Sequence, residues 1–228
     1  MANNIGKTAL VYCQSGGGKT YNSLQIPGKK VLISTDRSYQ FALGAAKDVT
    51  VLDCERWLPG DKPCFRELWD QAVAMKPAVI IIDNLSDLID LAVLELIGSD
   101  GAAKDNRQSY QKVYLDIRRL TREANYLGGI NVLWTAWMLI EEIQLPDGSK
   151  VQQFKPKLPG KISDNICGLC NIVGLIQTME KNNKKFWYYN LTPNANVIAK
   201  DQIYNRALCS PAQLFSAPKT EVKNNEKA

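Results

Sequence analysis

Hydrophobic positions in the first two-thirds of the chain form short apolar runs, which are separated by longer stretches of helical character. Residues 63–75 and 110–127 place apolar side chains on one face at helical spacing, and residues 85–97 are a largely apolar helix. The short runs predict strands at residues 8–13, 30–34, 49–52, 78–82 and 130–134. Strands that alternate with helices predict an α/β domain with a mainly parallel central sheet flanked by helices.

The last third of the chain changes to a pattern of paired strands. A Pro-Asp-Gly turn at residues 146–148 lies between two strand-like segments, and the polar stretch 180–185 lies between two more. Both patterns predict β-hairpins. Residues 216–228 show no periodicity and predict a disordered C-terminal tail, so residues 1–215 are expected to form the folded domain.

The composition excludes several kinds of chemistry. The 228 residues include six cysteines and no histidine, which excludes Ser-His-Asp, Cys-His and His-zinc sites. The N-terminus lacks the basic start and apolar core of a signal peptide, and the uncharged stretch 127–140 is too short to span a bilayer. We therefore expect a cytoplasmic protein whose cysteines are reduced thiols.

The strongest motif is Cys13-Gln-Ser-Gly-Gly-Gly-Lys-Thr20, which lies between a predicted strand and a predicted helix. It fits the phosphate-loop (P-loop) pattern G-x-x-x-x-G-K-[ST], except that Cys13 replaces the first glycine. Backbone amides of the loop would face phosphate oxygens, Lys19 would reach the outer phosphates of ATP, and Thr20 would hold Mg²⁺. The alternative, a glycine-rich turn with an incidental lysine, does not explain the Lys-Thr pair. The predicted nucleotide contacts are Ser15, Gly16, Gly17, Gly18, Lys19, Thr20 and Tyr21.

An acidic residue follows the next buried run of the sequence. Residues 79–82 are apolar and lead directly into Asp83, which would therefore lie at the carboxyl edge of the sheet. A carboxylate at this position would steady Mg²⁺ together with Thr20. The alternative is that Asp83 only caps the following helix, a role that Asn84 or Ser86 could also fill.

Positive charge is concentrated late in the chain. The net charge is +5, but residues 1–147 sum to −2 whereas residues 148–206 sum to +6. This distribution indicates either a polyanionic partner or a solvated lysine-rich face, and charge alone does not decide between them.

Taken in order, these motifs resemble a known family. The P-loop, the strand that ends in Asp83, the segment INVLWTAW, the segment PKLPGK at 156–161 and Ala199-Lys200-Asp201 are similar to RecA-like phage ATPases of the Sak-four type. Those proteins are proposed to act in single-strand DNA annealing or recombination. The resemblance covers residues 5–205 and implies a RecA-like P-loop NTPase fold with C-terminal β-hairpins.

The resemblance also implies roles for further residues. Asp36 takes the place of the family's catalytic carboxylate, which is more often a glutamate and orients the attacking water. Thr135 lies at the end of the strand that senses the γ-phosphate, where Trp137 replaces a common histidine. Lys200 resembles a basic finger that enters a neighbouring subunit's site, and Gln202 replaces the adjacent family arginine. The expected catalytic residues are thus Lys19, Asp36, Asp83, Thr135 and Lys200.

Basic residues follow the sensor strand, where RecA-like proteins carry a DNA-binding loop. The stretch 148–161 contains no acid. Its lysines, with two basic residues that follow the strand of Asp83, form a candidate groove for a phosphate backbone. The members of this groove are Lys104, Arg107, Lys150, Lys155, Lys157 and Lys161.

Two weaker patterns have structural explanations. Cys167 and Cys170 have the spacing of a metal pair, but no second pair completes a four-ligand site, so two small residues on a buried helix are favoured. The segment 187–189 (WYY) could stack bases, although aromatic residues in a strand more often pack in a core.

The leading hypothesis is a Mg²⁺-dependent ATPase that binds single-stranded DNA during phage recombination or annealing in the host cytoplasm, and is stimulated by that DNA. ATP would lie between subunits of a homo-oligomeric ring or filament, and a single-strand-binding protein is a further expected partner. A second hypothesis is a nucleotide-dependent adaptor that regulates a protein partner without binding DNA. A small-molecule kinase is disfavoured, because no arginine-rich lid follows Asp83.

Overall fold

A computed structural model describes residues 6–100 and 106–218 of the chain. Its strands are β1 (Thr8–Cys13), β2 (Lys30–Ser34), β3 (Val49–Asp53), β4 (Val79–Asp83), β5 (Asn131–Gln144), β6 (Lys150–Pro156), β7 (Ile172–Lys181), β8 (Lys184–Asn190), β9 (Lys200–Asp201) and β10 (Leu208–Cys209). Its α-helices are α1 (Lys19–Leu24), α2 (Phe65–Ala74), α3 (Leu85–Asp100), α4 (Asn106–Ala124) and α5 (Gly160–Leu169). Short 3₁₀ turns at Ser38–Phe41, Leu43–Ala45 and Pro211–Gln213 complete the described elements.

The sheet is parallel in its middle and antiparallel at one side. Parallel neighbours run in the order β7-β1-β5-β4-β2-β3. Strands β8 and β10 extend the β7 side in antiparallel fashion, β9 pairs with β7, and β6 pairs with β5. Because β5 lies between β1 and β4, the strand carrying the P-loop and the strand ending in Asp83 are separated by the predicted sensor strand.

Burial explains why β1 and β4 occupy the middle of the sheet. Every residue of both strands is buried. Successive side chains point to opposite faces, so Leu10 and Tyr12 enter one core while Val11 and Cys13 enter the other. Apolar residues of α2, α3, α4 and α5 cover the first face, and those of α1 and of the chain around Leu214 cover the second.

Strand β1 ends earlier than both of its neighbours. Its last residue, Cys13, lies opposite Trp137, and β5 continues beyond that point to Gln144. On the other side β1 pairs with β7 as far as Leu175, and β7 continues to Lys181. The β5–β6 and β7–β8 hairpins therefore project past the end of β1, where the chain turns into the glycine-rich loop.

The expected α/β architecture is confirmed, with a mainly parallel sheet, flanking helices and C-terminal β-hairpins. The second hairpin is longer than expected, because β7 and β8 extend into the polar stretch 180–185 and leave only Asn182 and Asn183 in the turn. Both have positive φ, 54° and 55°, which asparagine tolerates better than most residues.

Three expectations from the sequence concern the C-terminal tail, membrane-spanning segments and the cysteines. Most of the expected tail, residues 219–228, lies outside the described residues, so the domain boundary at residue 215 stays a prediction. Within the described ranges, none of the helices combines the length and apolar character that crossing a membrane requires. All six cysteines are free thiols.

Candidate nucleotide-binding site

The conformation of the loop between β1 and α1 favours glycine at its three central positions. Gly16 and Gly18 have φ of 73° and 87°, in the left-handed region that glycine adopts without strain. At Gly17 there is no room, because a Cβ atom would lie 2.6 Å from Cys13 Sγ and 3.0 Å from the carbonyl oxygen of Gln14. Cys13 is thus accommodated in place of the usual first glycine because its sulfur packs over Gly17.

Lys19 begins α1, and its side chain lies across the loop. Its residue is buried, and Nζ donates a 3.2 Å hydrogen bond to the carbonyl oxygen of Gln14. The ammonium group therefore lies among the backbone groups that would surround a phosphate. The loop opens on a cavity of about 310 Å³, within the range of small-ligand sites.

Asp83 accepts hydrogen bonds from three side chains in this cavity. It is 1% exposed, and its two oxygens accept hydrogen bonds of 2.5 Å from Thr20 Oγ1 and from Thr135 Oγ1. Ser38 Oγ donates a further bond of 3.3 Å. Burial raises the pKa of Asp83 above its ordinary value, while the hydrogen bonds from Thr135 and Thr20 oppose that rise.

The oxygen atoms around Asp83 fit a Mg²⁺ ion. Thr20 Oγ1 lies 2.9 Å from Ser38 Oγ, and both contact the same carboxylate oxygen. Mg²⁺ is commonly bound by one or two carboxylates together with substrate phosphates. In the described part of the chain, no group of three or more cysteine, aspartate and glutamate side chains could hold a metal by itself. A metal here would consequently rely on the phosphates of the nucleotide.

Asp36 lies at the edge of the same cavity and is exposed. Its Oδ2 accepts a 3.1 Å hydrogen bond from Asn84 Nδ2, and its Oδ1 accepts a 3.0 Å bond from the backbone amide of Ser38. The two bonds fix the carboxylate while leaving it open to solvent, which is the arrangement needed to orient a water molecule.

Trp137 lines the cavity from β5 and connects it with the first hairpin. Its backbone amide donates a 3.0 Å hydrogen bond to Ser86 Oγ, which fixes the strand against α3. The ammonium of Lys157 lies 5.3 Å from the centre of the indole ring, and the Lys157 amide donates to the carbonyl oxygen of Trp137. The hairpin that carries the predicted DNA-binding lysines is therefore in direct contact with a wall of the nucleotide cavity.

Most of the predicted nucleotide and catalytic residues are brought together at this site. The cavity is lined by Ser15, Gly16, Gly18, Lys19, Thr20, Tyr21, Asp36 and Asp83. Gly17 completes the loop, and Thr135 contacts Asp83 from the neighbouring strand.

Lys200 is not part of this group within one chain. It lies on β9, where Nζ donates to the carbonyl oxygen of Gly168 at 3.0 Å and to Gln202 Oε1 at 3.3 Å. Burial lowers the pKa of Lys200, an effect partly opposed by the nearby thiols of Cys170 and Cys167. Its predicted entry into a neighbouring subunit's site stays a prediction.

Two predicted DNA-binding lysines are ion-paired. Lys150 Nζ lies 2.7 Å from Glu142 Oε1, and Lys155 pairs with Glu141. Both acids lie on β5, opposite the acid-free stretch that carries the lysines. Charges that are separated along the sequence therefore balance each other across the hairpin.

The other predicted DNA-binding residues lie nearer the helices. Lys161 is in the first turn of α5 and lines a cavity of about 530 Å³ together with Tyr110 of α4. Arg107 is exposed at the start of α4, close to this cavity along the helix. Lys104 lies outside the described residues.

Several residues at the site were not predicted from the sequence. Ser38 and Asn84 donate hydrogen bonds to Asp83 and Asp36, respectively, and Ser86 accepts one from the backbone amide of Trp137. In the sequence, only their position close to the two acids indicated that they belong to the site. In the segment 187–189, Tyr189 is buried in the core as favoured, but Trp187 is half-buried and its ring centre lies 5.5 Å from that of Tyr21.

The chain is similar to one family of known proteins. A family model described as an AAA domain matches residues 5–203. No curated protein matches the sequence. Among solved structures, a KaiC-like protein from the hyperthermophilic archaeon Pyrococcus horikoshii OT3 is 14% identical, with 81% of this chain and 77% of that chain covered and a TM-score of 0.42.

Proposed function

Because this chain belongs to the AAA domain family of P-loop ATPases, we propose that it binds ATP with Mg²⁺, hydrolyses it, and couples hydrolysis to single-stranded DNA in phage recombination or annealing. The proposal of ATP binding rests on one observation. Thr20 and Thr135 both donate hydrogen bonds to the buried carboxylate of Asp83 beside the P-loop. A buried carboxylate next to a lysine and a backbone phosphate cradle is suited to hold a cation together with a polyphosphate.

Each residue at the site has a distinct task in this proposal. Lys19 would leave the Gln14 carbonyl and bind the outer phosphates, while Thr20 and Asp83 would hold the metal. Mg²⁺, when bound, neutralises phosphate charge and favours attack at the terminal phosphorus. Asp36, fixed by Asn84, would orient the attacking water.

The oligomeric part of the proposal rests on Lys200. Lys200 does not line the nucleotide cavity of its own chain, so a catalytic role requires that it act in the site of a second copy. Its hydrogen bond to the carbonyl oxygen of Gly168 holds the ammonium group near β9. The result would be a homo-oligomeric ring or filament with ATP at the subunit interfaces.

The adaptor hypothesis is supported by one observation. The ion pairs of Lys150 and Lys155 leave the first hairpin less basic than its lysine content indicates. Retention on immobilised single-stranded DNA with ATP at low salt, and its loss as salt rises, would favour the DNA-binding function. Absence of retention under those conditions would favour the adaptor.

The nucleotide proposal is tested with Lys19→Ala and a matched control, Lys29→Ala, which removes an exposed lysine at the opposite end of the sheet. We expect Lys19→Ala to weaken ATP binding by about tenfold to a hundredfold, the range for a lost charge-assisted hydrogen bond, and to abolish turnover. Lys29→Ala should behave as the wild type. Wild-type ATPase activity in Lys19→Ala would contradict the assignment.

A further inference from the structure

A second cleft lies beside the P-loop and is distinct from the nucleotide cavity. Its volume is about 350 Å³, and it lies where β1 has ended but the two hairpins continue. One wall is formed by the loop, a second by the β5–β6 hairpin and a third by the β7–β8 hairpin. The lining includes Cys13, Gln14, Gly16 and Gly17 of the loop, Met138 and Phe154 of the first hairpin, and Gln177 and Trp187 of the second. The cleft combines apolar surface with amide groups and adjoins the nucleotide cavity at Gly16, which lines both.

Trp187 connects this cleft with the nucleotide site. A Cβ atom at Gly18 would lie 3.0 Å from the indole Nε1, and the ring of Tyr21 is 5.5 Å away at an angle of 48°. The indole is half-buried, so part of its surface remains open to the cleft. A group that packs on this ring would therefore lie close to the residues that surround the phosphates.

Positive charge adjoins the aromatic ring. Lys185 Nζ lies 5.8 Å from the centre of the Trp187 ring, and Lys184 is exposed on the same strand. Residues 172–190 contain three lysines and a single acid, Glu180. The β7–β8 hairpin therefore keeps a positive balance, whereas the β5–β6 hairpin pairs its lysines with glutamates.

We propose that this cleft takes one unpaired base of a single-stranded nucleic acid, stacked on Trp187, and that Lys185, on the same face of β8, binds an adjoining phosphate. Aromatic rings interleaved with lysines bind single strands with little sequence preference, since every base has a face to stack. The base of ATP does not need this cleft, because the nucleotide cavity has its own aromatic surface in Tyr21 and in Phe41, which is 95% exposed.

This inference rests on the proposed DNA-binding function and identifies a place for the strand. It also gives a physical route for DNA stimulation, because a base on Trp187 would limit the movement of Gly18 and Tyr21. The strand would lie between the two hairpins and contact the P-loop next to the nucleotide cavity.

The inference is tested by titrating the protein, with Mg²⁺ and a non-hydrolysable ATP analogue, with a fluorescent oligothymidylate. Trp187→Ala should weaken binding by about 5- to 150-fold, the range for loss of one base–aromatic stack, and Trp187→Phe should retain most of the affinity. The matched control is Tyr126→Ala, which removes an 87% exposed ring just before β5, at the opposite end of the sheet. Trp187→Ala with wild-type affinity would overturn the proposal.

A second pair of variants tests the lysine. Lys185→Ala should make the slope of log affinity against log salt shallower by about 0.7, the contribution of one single-strand phosphate contact. The control Lys29→Ala removes an exposed lysine at the far end of the sheet and should leave the slope unchanged. Equal slopes for both variants and the wild type would overturn this part.

Two further outcomes separate the possible failures. If Trp187→Ala weakens the binding of ATP but changes the binding of neither tripolyphosphate nor the oligonucleotide, the cleft holds the base of ATP and the inference is wrong. If the wild type itself fails to bind the oligonucleotide at low salt, the proposed DNA-binding function fails, and this inference fails with it.

Discussion

Lys155 forms an ion pair with Glu141 across the two strands of the β5–β6 hairpin. Its neighbour Lys150 makes the equivalent pair with Glu142 at 2.7 Å. A DNA phosphate would have to compete with these carboxylates for the two ammonium groups. Such exposed pairs contribute little to stability, so they can exchange partners at small cost.

Removing the two acids should therefore increase DNA affinity. In Glu141→Gln/Glu142→Gln we expect tighter oligonucleotide binding at low salt and a salt slope steeper by about 1.4, since two lysines become available to phosphates. Fluorescence anisotropy at several salt concentrations measures both quantities. Asp147→Asn removes one negative charge at the hairpin turn and should change the affinity much less. Identical slopes for the double variant and the wild type would mean that Lys150 and Lys155 do not contact phosphates.

The close contact between Cys13 and Gly17 makes a prediction about the P-loop. Gly17→Ala should abolish ATP binding, because its Cβ would lie 2.6 Å from Cys13 Sγ and displace the loop. Cys13→Gly/Gly17→Ala removes that clash and leaves only the 3.0 Å contact with the Gln14 carbonyl, so we expect partial recovery. Isothermal titration with ATP would show the difference. If the single and double variants bind ATP equally poorly, the sulfur does not determine the loop's conformation.

Mixing two inactive variants tests the role of Lys200 between subunits. Lys200→Ala should be inactive through its effect on a neighbour, and Lys19→Ala through its own site. Mixed oligomers contain some interfaces with an intact Lys19 and an intact Lys200, so the mixture should recover part of the ATPase activity. ATPase rates across mixing ratios measure this recovery. No recovery at any ratio would exclude the role in trans.

The ion pair between Asp201 and Arg206 predicts how the stability of the fold depends on pH. The two side chains are 0% and 7% exposed, and Arg206 Nε lies 2.6 Å from Asp201 Oδ2. Burial alone would raise the pKa of Asp201, but hydrogen bonds from Arg206 and from the Tyr204 amide hold that pKa below its ordinary value. The pair therefore stabilises the fold above about pH 3.9, and this contribution is lost as pH falls through the lower, folded-state pKa.

Asp201→Asn tests this dependence. At pH 7 the free energy of unfolding should fall by about 3–5 kcal/mol, because Arg206 would be left as a buried unpaired charge. The difference from the wild type should shrink as the pH falls below about 3.9. Urea denaturation at several pH values measures both effects. Asp61→Asn breaks an exposed ion pair with Arg56 and should change stability little at any pH.

The fold and the nucleotide site could be predicted from local patterns. The apolar run before Asp83 indicated a central strand, and the loop from Cys13 to Thr20 indicated a candidate phosphate site between a second strand and a helix. These features depend on residues close in the sequence, whose spacing and chemistry directly determine the local structure. The length of the second hairpin was underestimated because Asn182 and Asn183 can form the turn alone.

Features that depend on the pairing of distant segments could not be predicted. The partners of Lys150 and Lys155 follow from the register of β5 with β6, which the acid-free stretch does not reveal. The contact between Gly18 and Trp187 depends on the projection of β7 and β8 past the end of β1. The bond from Asn84 to Asp36 likewise requires β2 and β4 to be adjacent.

The early end of β1 has a mechanical consequence. Both hairpins are anchored by backbone hydrogen bonds to the strand that leads into the P-loop, at Cys13 opposite Trp137 and at Tyr12 opposite Leu175. Movement of either hairpin would therefore be transmitted to β1, and from β1 to the P-loop that follows it. A load that spreads or closes the hairpins would twist β1 and change the curvature of the loop. Force applied to the hairpin tips is accordingly expected to change the lifetime of the bound nucleotide.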